Sequence, residues 1–186
     1  MSLRIAVEID GVLAHPESGG AHQAGSAEDF WERLTEFEPG AVARLAGMAE
    51  SRRWEVIFLT DRPPTPGATA QIQSQRWLES KGFILPSVYV VRGSRGRVAA
   101  ALDLDLVIDA APEHAAEVVE DSGARAILVW RFDRQALPVE AHRADIKVVG
   151  STADCLDVLN AMFGPTPRDG FLTRVRRMLG LKESKA

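Results

Sequence analysis

The chain has one cysteine, one tyrosine and no apolar stretch long enough to cross a membrane. A single thiol, Cys155, excludes an intrachain disulfide framework and suits a reducing compartment. Its neighbourhood, Ala153-Asp154-Cys155-Leu156, reads as helix without a catalytic partner, so a buried structural thiol is expected. No basic surplus exists: the formal net charge is −4, which excludes bulk attraction to nucleic acid polymers or anionic membranes. A Walker loop, a GxGxxG fingerprint and zinc-type Cys/His spacing are all missing. The opening residues Met1-Ser2-Leu3-Arg4-Ile5 lack a signal-peptide layout, and a cytoplasmic protein is the expectation.

What is present suits one α/β domain, since 186 residues can bury a substantial core. Short runs rich in Val, Ile and Leu read as buried parallel strands at Arg4–Ile9, Glu55–Leu59, Leu104–Ile108 and Ala126–Trp130. Weaker runs are Ser87–Val91 and Asp145–Val149. Helical patterns alternate with them. Pro39-Gly40 opens one with Val42, Leu45 and Met48 at helical spacing, and Thr69–Lys81 forms another, with Ile72, Trp77 and Leu78 inward and Gly82 as cap. Val98–Leu102, Pro112–Ser122 and Ala153–Met162 follow. Strand alternating with helix predicts a doubly wound parallel sheet with helices on both faces.

Two regions break the rhythm. Residues 13 to 36 hold a Gly/His/Pro/Ser-rich loop and a predicted short helix, Ser26–Leu34, with Ser26 and Asp29 as a weak capping box. The insert follows the first strand, where open α/β sheets place their ligand crevice, so it reads either as a small lid or as a surface excursion. After Gly164-Pro165-Thr166-Pro167, residues 171 to 179 read as a basic amphipathic helix with Phe171, Leu172, Val175, Met178 and Leu179 on one face. Packing on its own domain is the first expectation for it, and docking to a second subunit or another partner the next. The domain division is therefore 1–163 for the α/β body and 164–186 for linker and tail.

Carboxylates sit where the predicted strands end. Glu8-Ile9-Asp10-Gly11 puts two acids at i and i+2, on one face of the strand, and Gly11 lets backbone approach closely. Ionised acids on an apolar strand are costly unless paired or metal-bound, although strand-end acids can also cap a loop. Thr60-Asp61-Arg62-Pro63 places a hydroxyl and a guanidinium at the next strand end, a pairing suited to phosphate oxygens. Asp109 closes a further strand, and Ser94-Arg95-Gly96-Arg97 brings two cations just before a helix. His15, His22, His114 and His142 lack metal-ligand spacing and read as surface or loop histidines. Trp130-Arg131-Phe132 reads as core packing or crevice lining, and Phe30-Trp31 as packing of the insert.

In their order along the chain, Asp10-Gly11-Val12-Leu13, Phe30-Trp31, Pro39-Gly40, Leu59-Thr60-Asp61-Arg62-Pro63, Trp77-Leu78 and Val107-Ile108-Asp109 resemble the haloacid dehalogenase-like superfamily. Within it they are most similar to the small 5′(3′)-deoxyribonucleotidases and related nucleotidase-like proteins, over approximately residues 4 to 160. The resemblance implies a phosphomonoesterase that uses Mg²⁺. It assigns Glu8 as the nucleophile and Asp10 as the acid/base whose backbone carbonyl ligates the metal. Thr60, with Asp61, Arg62 and Gly11, would hold the phosphoryl group. Arg95, or alternatively Arg97, would stand where the family has a lysine, and Glu8, Asp10 and Asp109 would form the Mg²⁺ site.

Three positions depart from the family pattern. Glu8 replaces the nucleophilic aspartate, and its extra methylene displaces the attacking oxygen by ~1 Å, a shift that can cost about 100-fold in rate. Arginine replaces lysine, keeping charge but changing donor geometry. The acid pair of the last motif reads Asp109-Ala110, and a lost metal-supporting carboxylate weakens affinity by roughly 10–100-fold. Two readings follow. One is a Mg²⁺-dependent phosphomonoesterase acting on a small phosphorylated metabolite or nucleotide. The other is a disarmed relative that binds metal, phosphate or a partner without turnover.

Overall fold

The computed structural model describes residues 2–16, 30–63 and 67–163. Eight strands and five helices alternate among them. They are β1 (Arg4–Glu8), β2 (Ala14–Pro16), β3 (Leu34–Glu36), α1 (Ala41–Arg52), β4 (Glu55–Thr60), α2 (Ala70–Ser80), β5 (Ser87–Val90), α3 (Arg95–Ala101), β6 (Leu106–Asp109), α4 (Pro112–Asp121), β7 (Arg125–Val129), β8 (Ile146–Val149) and α5 (Thr152–Phe163). Six strands form one parallel sheet in the order β5-β4-β1-β6-β7-β8, and β2 pairs antiparallel with β3 in a separate hairpin. The doubly wound fold expected from the alternation is the fold observed. None of the described helices is long and apolar enough to cross a membrane.

Burial along β1 alternates between two apolar layers. Ile5, Val7 and Ile9 pack with α1, α2 and α5 through Val42, Leu45, Trp77, Leu78, Cys155 and Leu159. Ala6 packs on the other side with Ala99 of α3 and Ala115 and Val118 of α4. Period-two alternation therefore turns Glu8, which shares the parity of Ala6, toward the α3/α4 layer. Its position in the sheet centre, between β4 and β6, sets it at the point where the chain winds outward in both directions. Ligand crevices of open α/β sheets form there.

Several expectations change in detail. The insert carries the β2–β3 hairpin, and Leu34 is a strand residue, because the register Pro16↔Leu34 captures it. Of the predicted Ser26–Leu34 helix, only a 3₁₀ turn at Phe30–Arg33 falls among the described residues; Ser26 and Asp29 lie outside them, as do His22 and the basic tail helix. In α2, Ile72 points outward and is 41% exposed. Gln73 and Ser74 take the buried phase instead, since Gln73 Nε2 donates to the Ala68 carbonyl at 2.9 Å and Ser74 Oγ accepts from Arg62 Nη1 at 3.3 Å. Helix α3 starts three residues earlier than expected, at Arg95, because Ser94 caps it by accepting from the Arg97 amide at 3.3 Å.

Candidate active site at the C-terminal edge of the sheet

Register builds the site. Val7 is level with Ile108, so Asp109 stands beside Glu8, and Glu8 is level with Leu59, so Thr60 lies one step further along the crevice rim. The chain then turns at Gly11, whose φ of +83° suits glycine; a Cβ there would come within 2.7 Å of the Ala110 Cβ. The close approach expected at Gly11 is thus real, and its neighbour is Ala110 at the end of β6.

Arg131, following β7, holds this turn in place. Its guanidinium donates to the Val12 carbonyl at 3.0 Å, to Thr152 Oγ1 at 2.6 Å and to Glu38 Oε1 at 3.0 Å, and it lies 3.8 Å from the Phe37 ring centroid. Sequence reading gave it no such role, because its partners come from three separate segments. No local pattern announces that convergence.

The buried centre of the site is an ion-pair cluster. Arg95 Nη2 donates to Glu8 Oε2 at 2.5 Å, and Arg95 Nε lies 3.5 Å from Asp109 Oδ2. All three residues are buried, with Glu8 4%, Arg95 2% and Asp109 1% exposed. Arg95, the first residue of α3, therefore approaches Glu8, whereas Arg97 is exposed. Gly96 permits this: an added Cβ would fall 2.1 Å from the Glu117 carbonyl, so α3 rides directly on the backbone of α4. The Arg95 amide also donates to Glu117 Oε2 at 2.8 Å.

The cluster is incompletely satisfied. Glu8 Oε1, Asp109 Oδ2 and Arg95 Nε are buried without a hydrogen-bond partner. Two carboxyl groups share one guanidinium where water is excluded. Burial first, and then the Asp109 charge, push the Glu8 carboxyl well above the ordinary range; Arg95 pulls it back, and Asp10 and Asp61 add to the rise. Asp109 Oδ1 accepts from the Ala111 amide at 2.8 Å and meets His114 Nδ1 at 3.2 Å. That contact raises the His114 pKa against the opposing effect of burial. His114 is consequently a half-buried member of the site and not the loop histidine expected; the helical turn opening α4 brings it back to the strand end.

Asp10 has different company. Thr60 Oγ1 donates to its Oδ2 at 2.9 Å, while Arg62 Nη2 and Nε donate to its Oδ1 at 2.6 and 3.0 Å. The Asp10 side chain is 33% exposed, and Asp61 beside it is exposed. The groups that the resemblance assigns to phosphate are thus turned onto Asp10. Between Asp61, Arg92, Arg95 and His114 opens a cavity of about 370 Å³.

Two donor sets, each with ligand atoms within 4.8 Å of one another, share Glu8. One is Glu8 with Asp109 and His114; the other is Glu8 with Asp10 and Asp61. Asp10 and Asp109 fall in different sets. The donor chemistry fits a divalent cation, because two buried carboxylate oxygens accept no hydrogen bond where two carboxyl groups share one guanidinium.

No family model matches the chain, and no curated protein matches it in sequence. Solved structures do match. D,D-heptose 1,7-bisphosphate phosphatase from B. bronchiseptica, in a complex with magnesium and phosphate, superposes with a TM-score of 0.60 at 14% identity, covering 86% of this chain and 99% of that one. A hydrolase from Pseudomonas syringae gives 0.54 at 14% identity over 87% and 99%. A putative β-phosphoglucomutase from Thermotoga maritima gives 0.54 at 15% identity over 86% and 99%. The chain thus shares the α/β fold of these structures.

Proposed function

We propose that this chain binds a small phosphorylated ligand together with a divalent cation at the C-terminal edge of its sheet, and that turnover there is far below that of an ordinary phosphatase. One observation carries the reading: two buried carboxylate oxygens, Glu8 Oε1 and Asp109 Oδ2, accept no hydrogen bond in a cluster where two carboxyl groups share one guanidinium. A bound divalent ion such as Mg²⁺ would neutralise that cluster and attract phosphoryl oxygens. Glu8 and Asp109 would hold it. Thr60, Arg62 and the backbone around Gly11 would face the phosphate, with Arg95 beneath.

Slow turnover follows from the bonding of the two acids. Glu8 is tied by Arg95, and its longer side chain moves the attacking oxygen by ~1 Å. Asp10 accepts from Thr60 and Arg62, which engages both of its oxygens and turns it from the role of proton donor. Phosphate would compete with Asp10 for these same donors.

A second reading has its own support. Glu8 Oε1 accepts no hydrogen bond and is free to attack, with Asp10 as acid/base, as in a Mg²⁺-dependent phosphomonoesterase. Solution experiments separate the two. Purified protein with Mg²⁺ is titrated calorimetrically with inorganic phosphate, nucleoside monophosphates and sugar phosphates, the last because two of the structural neighbours carry sugar-phosphate names. Release of phosphate from the same panel is followed beside Asp10→Asn. Binding with equal background release in both proteins is the expected result. Release that vanishes in Asp10→Asn establishes the enzyme instead, and absence of any binding removes the proposal. The double change Glu8→Asp with Ala110→Asp is expected to raise turnover, provided Gly11 leaves room for the larger residue at position 110.

A further inference from the structure

We infer that His114 makes the Glu8–Asp109 end of the crevice selective for a first-row transition-metal ion of the manganese-to-zinc series over Mg²⁺. The inference rests on the proposed cation site and specifies its chemistry. Glu8, Asp109 and His114 each offer a ligand atom within 4.8 Å of the others. The second, independent observation is the pair of unsatisfied oxygens: Glu8 and Asp109 are 4% and 1% exposed, and each keeps one oxygen without a hydrogen-bond partner. Their other oxygens are accounted for, Glu8 Oε2 by Arg95 and Asp109 Oδ1 by the Ala111 amide and the His114 ring.

The nitrogen donor decides the metal. Mg²⁺ is a hard ion that takes oxygen ligands and keeps much of its water, whereas imidazole suits zinc, iron, nickel and copper. An all-oxygen set is available in Glu8, Asp10 and Asp61. There, however, both Asp10 oxygens are already engaged by Thr60 and Arg62, and Asp61 stands in solvent. Glu8 belongs to both sets, but the partner carboxylate that keeps an oxygen without a hydrogen bond is Asp109, whose Oδ2 has only the 3.5 Å ion pair with Arg95 Nε, and it stands in the set that contains the histidine. His114 also gives access, since its side chain is 27% exposed and it lines the cavity beside Asp61, Arg92 and Arg95.

The test uses the full chain stripped with a chelator. Mn²⁺, Co²⁺, Zn²⁺ and Mg²⁺ are titrated calorimetrically into wild type, His114→Ala and His114→Gln, with circular dichroism confirming that each variant is folded. Loss of the imidazole should weaken Zn²⁺ and Co²⁺ by about 10–100-fold while changing Mg²⁺ affinity little. Pulsed electron paramagnetic resonance of the Mn²⁺-loaded wild type should show coupling to a histidine nitrogen that both variants lose. Mn²⁺ bound without such coupling, or Zn²⁺ affinity equal in all three proteins, would overturn the inference and leave the general cation site standing. Failure of every ion to bind wild type would overturn both.

Discussion

The two faces of the central sheet solve burial in opposite ways. On one, Ile5 and Val7 of β1, with Ile9 just beyond it, join the apolar cluster of α1, α2 and α5, which includes Trp77, whose Nε1 donates to the Leu34 carbonyl at 3.0 Å. On the other, the same strand presents Ala6 and then Glu8, and a guanidinium fills the space beneath the acid. Desolvation acts on both faces. It raises the Cys155 thiol on the first and the Glu8 carboxyl on the second. The difference is compensation: the thiol remains neutral at little cost, whereas Glu8 and Asp109 need cations. Apolar packing therefore anchors the scaffold, and the charged face concentrates bonding capacity at the one edge where a ligand can enter.

The largest expected effect breaks that compensation. Arg95→Ala strands two buried carboxylates and should lower the free energy of unfolding in urea by about 3–5 kcal/mol. Glu8→Gln in the Arg95→Ala background should return part of the loss, because it removes one of the stranded charges. If Arg95→Ala unfolded with the wild-type midpoint, the charged face would be compensated from elsewhere, and the argument for a missing cation would fall with it.

Glycines sharpen the same contrast at smaller scale. On the charged side, Gly96 lets α3 rest on α4, and an added methyl would fall 2.1 Å from the Glu117 carbonyl. Gly96→Ala should therefore destabilise by about 2–3 kcal/mol, within the range for overpacking. On the apolar side, Gly47 in α1 is exposed, and an added Cβ meets nothing within 4 Å. Gly47→Ala should stabilise by about 0.5–1 kcal/mol through helix propensity. Thermal unfolding of the two variants should move in opposite directions. A neutral Gly96→Ala would mean that Arg95 is not held by close helix contact.

The strand-end acids were legible in sequence because ionisable residues closing otherwise apolar runs have few structural excuses, and Glu8, Asp10 and Asp109 all lie at the crevice. The six sheet strands were legible for the same reason, being short, buried and β-branched. The β2–β3 hairpin was not, since two three-residue strands flanking a Gly/His/Pro/Ser-rich loop carry no periodicity. Hydrophobicity alone puts Ile72 inward in α2, whereas hydrogen bonding of Gln73 and Ser74 sets the phase of the helix. His114 has no metal-ligand spacing to mark it in the sequence. Its contact with Asp109 arises in the first turn of α4, and the helix start at Pro112, legible in sequence, does not by itself say that this turn folds back on the strand end. Arg131 had no comparable signal, for its partners lie about twenty to one hundred and twenty residues away.

The smallest effect concerns the apolar face alone. Burial pushes the Cys155 thiol from 9.0 to about 12. The folded chain keeps that proton while the unfolded chain releases it near the ordinary value, so the group's contribution to stability is whole below pH 9.0, falls as pH rises, and levels off only above about 12. One unit above the ordinary thiol value the loss should be about 1.4 kcal/mol. Other groups titrate in this range, so the comparison is with Cys155→Ala, whose stability should fall less steeply between pH 8 and 10 by roughly that amount. Iodoacetamide should correspondingly leave the native thiol unmodified at pH values where it alkylates the urea-unfolded chain. Parallel curves for the two proteins, or rapid alkylation of the native chain, would mean that water reaches Cys155. The apolar face would then differ from the charged one in its residues but not in its dryness.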